Sequence, residues 1–246
     1  MVVGGGGYVG SAILKEALRF PNLSLISVQR GTPKNFVDAK VNYVTGSALT
    51  PETFREEVKS ADVIVHSLGV LIDSTFTKCA NQGAEGSYEQ INYETAKVLG
   101  DYVNSFTDKK RKFFYISAGQ GIPFVPRYLE TKRKAERYLS TLPNLEFKAF
   151  YPGLIVDSQE RAVTAPLGLL MDTSAQIQKS FPFNQLGDVK YLGDFLSNFK
   201  VDHSIQRQDL ARAIIYCALE HGYDAQKIME YDHMIDASRR LANLSQ

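Results

Sequence analysis

Short apolar runs alternate along the chain with segments in which apolar residues recur every three or four positions. The runs are typical of buried strands and the segments of amphipathic helices. The predicted strands cover residues 1–3, 23–30, 41–46, 61–69, 113–117, 147–151 and 228–230, and the predicted helices cover 11–18, 51–59, 92–104, 128–139, 208–221 and 232–244. This alternation predicts an α/β fold with a doubly wound parallel sheet.

The alternation weakens after residue 153. We therefore expect a single domain over residues 1–246, in which 154–200 and 222–246 contribute a small C-terminal lobe on the substrate side. The apolar runs 167–171 and 181–183 either line a pocket for a prenylated ring or form the ordinary core of this lobe.

A glycine cluster separates the first predicted strand from the first predicted helix. Strand, glycine turn and helix in this order are typical of a Rossmann dinucleotide site, where the pyrophosphate meets the N-terminus of the helix. Two registers fit, Gly5-x-Gly7-x-x-Gly10 and Gly4-x-x-Gly7-x-x-Gly10. The turn also contains Tyr8 and Val9, which we include among the cofactor contacts. The alternative is a glycine-rich N-terminal tail without a ligand.

The end of the second predicted strand bears on the choice of cofactor. A site for NAD usually has Asp or Glu here, whereas this chain has Arg30, with Lys34 soon after. A guanidinium pairs well with the 2′-phosphate of NADP(H). We therefore expect NADP(H) rather than NAD(H), the alternative being a solvated loop arginine.

Composition and charge narrow the function further. The net charge of +1 gives no bulk attraction to nucleic acid, and 44% hydrophobic residues are ordinary for a globular protein. The two cysteines and four histidines lack metal-ligand spacing, so no metal site is predicted.

No apolar run reaches the roughly 20 residues of a transmembrane helix. Only three residues precede the glycines, which is typical of a processed or truncated N-terminus.

Tyr128 and Lys132 are the candidate catalytic pair. They lie four positions apart on a predicted helix and so face the same way. A lysine ammonium beside a phenol lowers the pKa of the tyrosine, which can then exchange a proton with a substrate oxygen. Ser117, at the carboxyl end of a strand, is expected to bind the same oxygen. The alternative is that Tyr128 and Lys132 hold a cofactor without catalysis.

These motifs together resemble the short-chain dehydrogenase/reductase superfamily in its extended or atypical branch. The resemblance selects the register Gly4-x-x-Gly7-x-x-Gly10 for the cofactor turn. It implies cofactor contacts from the segment after strand four, from the helix asparagine, from Lys132 at the ribose hydroxyls and from the Pro-Gly after strand six. In this sequence those contacts are Ser67, Leu68 and Gly69, then Asn92, and then Tyr151, Pro152 and Gly153, with Ser47 as a contact to the adenine.

Longer stretches, 65–71, 115–118 with 121–123, 131–136 and 151–157, resemble the mitochondrial members attached to coenzyme Q biosynthesis. The NADPH-carrying accessory subunit of respiratory complex I is similar in the same places. The resemblance implies a protein peripheral to the membrane on the matrix side of the mitochondrial inner membrane. Its implied partners are subunits of a quinone-synthesis or respiratory complex, with a quinone-like substrate and no nucleic acid.

Several positions depart from the family pattern. Ser117 lies only eleven positions before Tyr128, Tyr151 stands where an arginine is usual, and Ser47 stands where an aspartate often contacts the adenine. Two functions therefore stay open: a reductase-like protein of ubiquinone biosynthesis, and a non-catalytic accessory subunit that holds a nucleotide. A sugar-nucleotide epimerase or dehydratase is disfavoured by the short loop before Tyr128 and by the apolar lobe.

Overall fold

The computed structural model describes residues 1–32, 36–70, 84–119, 126–157, 204–219 and 226–244. Their strands are β1 Val2–Val3, β2 Leu25–Gln29, β3 Val41–Thr45, β4 Val63–His66, β5 Arg111–Ile116, β6 Leu145–Phe150, β7 Ile155–Val156, β8 Ile205–Gln206 and β9 Ile228–Met229. Their helices are α1 Tyr8–Ala17, α2 Arg55–Ser60, α3 Thr95–Asn104, α4 Pro126–Leu139, α5 Arg207–Leu219 and α6 Tyr231–Leu244. A 3-10 turn, Pro51–Phe54, precedes α2, and a π-helical turn, Glu89–Glu94, precedes α3.

Seven strands form one sheet in the order β3-β2-β1-β4-β5-β6-β9, and every neighbouring pair is parallel. The predicted α/β fold with a doubly wound parallel sheet is confirmed. The strand order reverses between β1 and β4, and open sheets of this kind bind ligands at such a reversal.

The core has two halves, one on each face of the sheet. On one face, α1, α5 and α6 bury apolar side chains such as Leu14, Ile214 and Leu241. On the other face, α2, α3 and α4 bury Val58, Leu99 and Leu139. Each helix therefore has its apolar stripe against the sheet, as the spacing of apolar residues predicts.

Residues 226–244 are part of the main sheet and its core. β9 pairs with β6 at the edge of the sheet, and Met234, Ala237 and Leu241 of α6 are buried in the main core. The apolar stripe of α6 fits this core because α6 packs along α5. Several other predictions concern residues outside the described ranges: Lys34, the stretch 121–123, the lobe residues 158–200 with both apolar runs, and three of the cysteines and histidines considered for a metal site, Cys79, His203 and His221.

None of the helices in the described ranges combines the length and apolar character that a membrane span requires.

Candidate functional site

The candidate site lies where the sheet order reverses, at the carboxyl ends of β1 and β4. Val3 is in register with His66, so the residues that follow these strands, Gly4 and Ser67, are neighbours. Both the backbone N–H and the hydroxyl of Ser67 donate to the carbonyl of Val3, at 2.9 Å each. The glycine turn and the segment after strand four, predicted separately from sequence, therefore share one crevice.

Three glycines of the turn meet at one carbonyl group. Gly4 has a φ of 91°, and its carbonyl accepts the N–H of Gly7 at 2.9 Å. A Cβ on Gly10 would lie 2.3 Å from that carbonyl oxygen and 2.8 Å from Ser67 Oγ. A side chain at Gly10 would thus displace the backbone of the turn, and one at Gly4 would crowd Ser67 and Leu68. A Cβ on Gly5 would likewise overlap Ser27 Oγ, so the packing of the turn fits both registers.

The N-terminus of α1 faces outward from this turn. Gly7 is the N-cap and is exposed, and no side chain caps the helix. Tyr8 and Val9 occupy the first helical positions and are half-buried. Backbone N–H groups at such an end attract anions, so the arrangement can hold a pyrophosphate.

The end of β2 carries an amide where a carboxylate would select NAD. Gln29 is the last residue of β2, and its Nε2 donates to the carbonyl of Gly31 at 2.9 Å. Its Oε1 lies 2.5 Å from where a Cβ on Gly6 would stand, so Gln29 packs against the turn. Arg30 follows and is exposed, while Ser47 is half-buried, with Oγ accepting the N–H of Leu49 at 3.2 Å.

Lys132 of α4 reaches across to the end of β4. Its side chain is buried, and Nζ donates to the carbonyl of Ile116 at 2.8 Å. A Cβ on Gly69 would lie 3.0 Å from Lys132 Nζ and 3.5 Å from Asn92 Oδ1. Gly69, Asn92 and Lys132, all predicted as cofactor contacts, are therefore brought together.

Asn92 lies within the π-helical turn before α3. Its carbonyl accepts the hydroxyl of Tyr115 at 2.8 Å, and its Oδ1 accepts the N–H of Val70 at 3.3 Å. A π-helical turn redirects the backbone and is frequent at functional sites. Asn92 Oδ1 lies beside Gly69, at the crevice.

The pKa of Tyr128 corrects a prediction. Burial raises this pKa to about 12, with a smaller contribution from Tyr88, whereas the four-residue spacing predicted that Lys132 would lower it. Lys132 Nζ lies 6.0 Å from the centre of the Tyr128 ring, and burial lowers the pKa of Lys132 itself to about 7. A lysine this distant, and losing its own charge near neutral pH, does not stabilise a phenolate.

Ser117 and Tyr151 belong to a buried network around Glu136, a residue that the sequence motifs did not point to. The Ser117 hydroxyl donates to Glu136 Oε1, and the Tyr151 hydroxyl donates to Oε2 at 2.5 Å. Arg133 Nη1 donates to Glu136 Oε1 at 2.7 Å, and the Arg133 guanidinium stacks over the Tyr151 ring at 3.8 Å. Glu136 follows Lys132 by four positions, so the helical spacing of Tyr128 and Lys132 could have identified it.

The remaining predicted contacts lie at the end of β6. Pro152 is buried and Gly153 is half-buried, and the carbonyl of Pro152 accepts the N–H of Gly119 at 2.8 Å. Arg133 Nη2 donates to the carbonyls of Ala118 and Gly119 at 2.9 and 3.0 Å. Arg133 thereby joins the chain after β5 to the Glu136 network.

His66, the last residue of β4, is also buried near the site. Its Nε2 lies 3.0 Å from Thr95 Oγ1, and its ring lies 5.3 Å from that of Tyr115. Complete burial, reinforced by Lys132, lowers the pKa of His66 to about 3. In the described part of the chain, no group of three His, Cys, Asp or Glu residues could hold a metal ion.

Comparisons with known proteins agree with this architecture. No protein-family model matches the chain. In sequence it is similar to MIOREX complex component 2 of Saccharomyces cerevisiae, with 26% identity covering 66% of this chain and 74% of that protein. In structure it is similar to a short-chain dehydrogenase family protein of Francisella tularensis, with a TM-score of 0.63, 14% identity and coverage of 96% and 97%.

A further structural neighbour is UDP-glucose 4-epimerase of Thermus thermophilus, crystallised with NAD. Its TM-score is 0.62 and its identity 14%, covering 99% of this chain and 82% of that one. At these identities the neighbours define the fold. The chain shares with them a Rossmann fold built on a parallel sheet.

Proposed function

We propose that this chain is an NADP(H)-binding, reductase-like protein of mitochondrial ubiquinone biosynthesis or of its enzyme complex. The observation that carries the nucleotide part is the close approach of Gly4, Gly7 and Gly10 beneath the uncapped N-terminus of α1. Because these glycines lack side chains, the turn packs closely and a pyrophosphate could approach the N–H groups at the start of α1. Lys132, Asn92 and Gly69 converge on the other side of the same crevice, where they would hold the ribose.

The preference for NADP(H) rests on the end of β2. Gln29 carries no charge to repel a 2′-phosphate, and the exposed Arg30 beside it can pair with one. Ser47 would contact the adenine in place of the more usual aspartate. The epimerase neighbour was crystallised with NAD, so the preference is a property that we assign to this chain from its own residues.

The biological setting rests on sequence similarity. The yeast relative is, by its name, a component of the MIOREX complex, and we place this chain as a subunit of a comparable mitochondrial assembly. The stretches that resemble mitochondrial coenzyme Q proteins favour a position on the matrix side of the inner membrane, peripheral to it. The expected substrate is a quinone-like carbonyl compound.

For an active enzyme, each residue has an assigned role. A bound nicotinamide supplies the hydride. Tyr128 donates the proton to the substrate oxygen, Lys132 binds the ribose hydroxyls, and Pro152 and Gly153 border the nicotinamide. Tyr151 and Ser117 shape the edge of the site through Glu136.

The alternative is a non-catalytic accessory subunit that keeps a nucleotide for stability, as in complex I. Two observations favour it. The Ser117 hydroxyl donates to Glu136 and so has no hydrogen left for a substrate oxygen, and the pKa of Tyr128 is raised to about 12. Both observations bear on proton transfer to a substrate and not on nucleotide binding at the glycine turn.

Two experiments test the proposal. Denaturing the purified protein and identifying the released nucleotide by mass spectrometry should yield NADP(H); NAD would refute the role of Arg30, and no nucleotide would count against both functions. Replacing the chromosomal copy with Tyr128→Phe separates the two functions. Loss of quinone content and respiratory growth indicates an enzyme, whereas unchanged growth, together with loss in Gly7→Asp, indicates an accessory subunit.

A further inference from the structure

The short pairing of β7 with β8 brings Asp157 and Arg207 together beside the nucleotide turn. Ile155 is in register with Ile205 and Val156 with Gln206, and the strands are parallel. The residues that follow each strand, Asp157 and Arg207, therefore emerge side by side. Arg207 Nη2 lies 2.5 Å from Asp157 Oδ2, and both side chains are largely buried, with exposures of 19% and 12%.

Arg207 also contacts the first residue of α1. Its guanidinium carbon lies 4.5 Å from the centre of the Tyr8 ring, and Nη1 donates to the Tyr8 carbonyl at 3.4 Å. Tyr8 directly follows the exposed N-cap Gly7. A guanidinium is thus fixed at the point where the glycine turn becomes a helix.

This position is electrostatically unusual for a cation. Arg207 lies beside the N-terminus of α1 and is itself the first residue of α5, and the N-terminus of a helix carries a partial positive charge. The carboxylate of Asp157 offsets this charge. The acidic residue in the first turn of α5 itself, Asp209, accepts a hydrogen bond from Ser238 at 2.8 Å and lies 3.7 Å from Arg212.

We propose that Arg207 is a ligand of the dinucleotide pyrophosphate and that Asp157 competes with the pyrophosphate for it. When the nucleotide binds, the guanidinium exchanges one oxygen anion for another while staying against Tyr8. Because Asp157 lies four residues after Gly153, the exchange links occupancy of the glycine turn to the segment that follows the candidate nicotinamide contacts. The inference rests on the proposed nucleotide function and adds a residue from the far end of the chain to that site.

The two partners of this ion pair should respond to substitution in opposite directions. We would measure the dissociation constant of NADPH by calorimetry for Arg207→Ala and Asp157→Asn, with melting temperatures to confirm folding. Arg207→Ala should weaken binding about tenfold, the size of one charge-assisted hydrogen bond. Asp157→Asn should tighten binding several-fold, because it weakens the competing contact with the guanidinium and removes a nearby negative charge. Asp236→Asn, which breaks the exposed pair with Arg240 on α6, is the matched control and should change nothing.

An ion pair with only a structural role gives a different result. Both substitutions would then weaken binding together with stability, or neither would alter it, and either result overturns the inference. If Arg207→Ala does not fold, Arg207→Lys replaces it. This variant keeps the charge, so its NADPH affinity should fall by less than tenfold. A wild-type protein that binds NADPH while Asp157→Asn fails to bind more tightly refutes only this inference, whereas a wild type that binds no nucleotide refutes the proposed function as well.

Discussion

The Tyr151 hydroxyl donates a 2.5 Å hydrogen bond to Glu136 Oε2, which ties the end of β6 to the interior of α4. The same carboxylate accepts the Ser117 hydroxyl at the end of β5 and the guanidinium of Arg133. Glu136 is only 8% exposed, so these three partners replace the water that a carboxylate requires. One acidic residue thereby fixes the relative position of two strand ends at the candidate site.

Glu136→Gln should lower the free energy of unfolding by about 2 kcal/mol or more, because Arg133 loses its ionic partner in a buried setting. Chemical denaturation measures this loss. Glu130→Gln, at an exposed position on the same helix, should change the stability by less than about 0.5 kcal/mol. Equal effects of the two substitutions would show that the network contributes little.

Gly10→Ala should destabilise the turn, because its Cβ would lie 2.3 Å from the Gly4 carbonyl oxygen. We expect a cost of about 1–3 kcal/mol, typical of an overpacked site, and a loss of nucleotide binding. Gly31→Ala is the matched control, since a Cβ there would meet no atom within 4 Å. Wild-type melting and binding in Gly10→Ala would contradict the close packing of the turn.

His66 should make the protein sensitive to acid. Its folded pKa is about 3, below the ordinary 6.5, so between these values the unfolded chain binds more protons than the folded one. The free energy of unfolding therefore falls as the pH drops from 6.5 towards 3. The loss is about 1.4 kcal/mol for each pH unit between the two pKa values.

His66→Gln removes this titration, and its stability should fall less steeply with acid than that of the wild type. Denaturation curves at half-unit pH intervals give the comparison. Parallel slopes for the wild type and His66→Gln would mean that His66 is protonated as readily in the folded state as in the unfolded chain.

Lys132 should make the stability of the protein depend on pH in the alkaline range. Burial lowers its folded pKa to about 7 from 10.5, so the unfolded chain binds the extra proton between these values. The wild type therefore gains stability from this residue as the pH rises from 7 to 10.5. Lys132→Met should lose that gain, while Lys134→Met, at an exposed position on α4, should keep it. The same pH slope in all three proteins would indicate that Lys132 is solvated.

The sequence predicted most of the fold because each element carries its own signal. The apolar run of β4 and the glycine turn after β1 are local patterns, and together they locate the crevice from the order of residues alone. The strand β9 was also predicted, but its place beside β6 was not, because two apolar residues do not specify a partner strand.

The site was predicted less completely than the fold. Glycines and a Tyr-x-x-x-Lys spacing are visible in sequence, but the direction of the Tyr128 pKa depends on burial, which spacing does not report. The Arg207–Asp157 pair was missed for a related reason. The two residues are fifty positions apart, and only the register of β7 with β8 brings them together.

Every assignment at the site depends on the turn before α1 binding a dinucleotide, which titration calorimetry of NADPH into the wild type and Gly7→Asp tests. Gly7 is the exposed N-cap of α1, and aspartate is a favoured N-cap, so we expect the variant to fold while its carboxylate repels the pyrophosphate. We expect one NADPH site in the wild type and none in Gly7→Asp, which should still fold although its Cβ would lie 3.1 Å from the Gly4 carbonyl oxygen. Absence of binding to the wild type, or equal affinity in both proteins, would contradict a dinucleotide site at this turn.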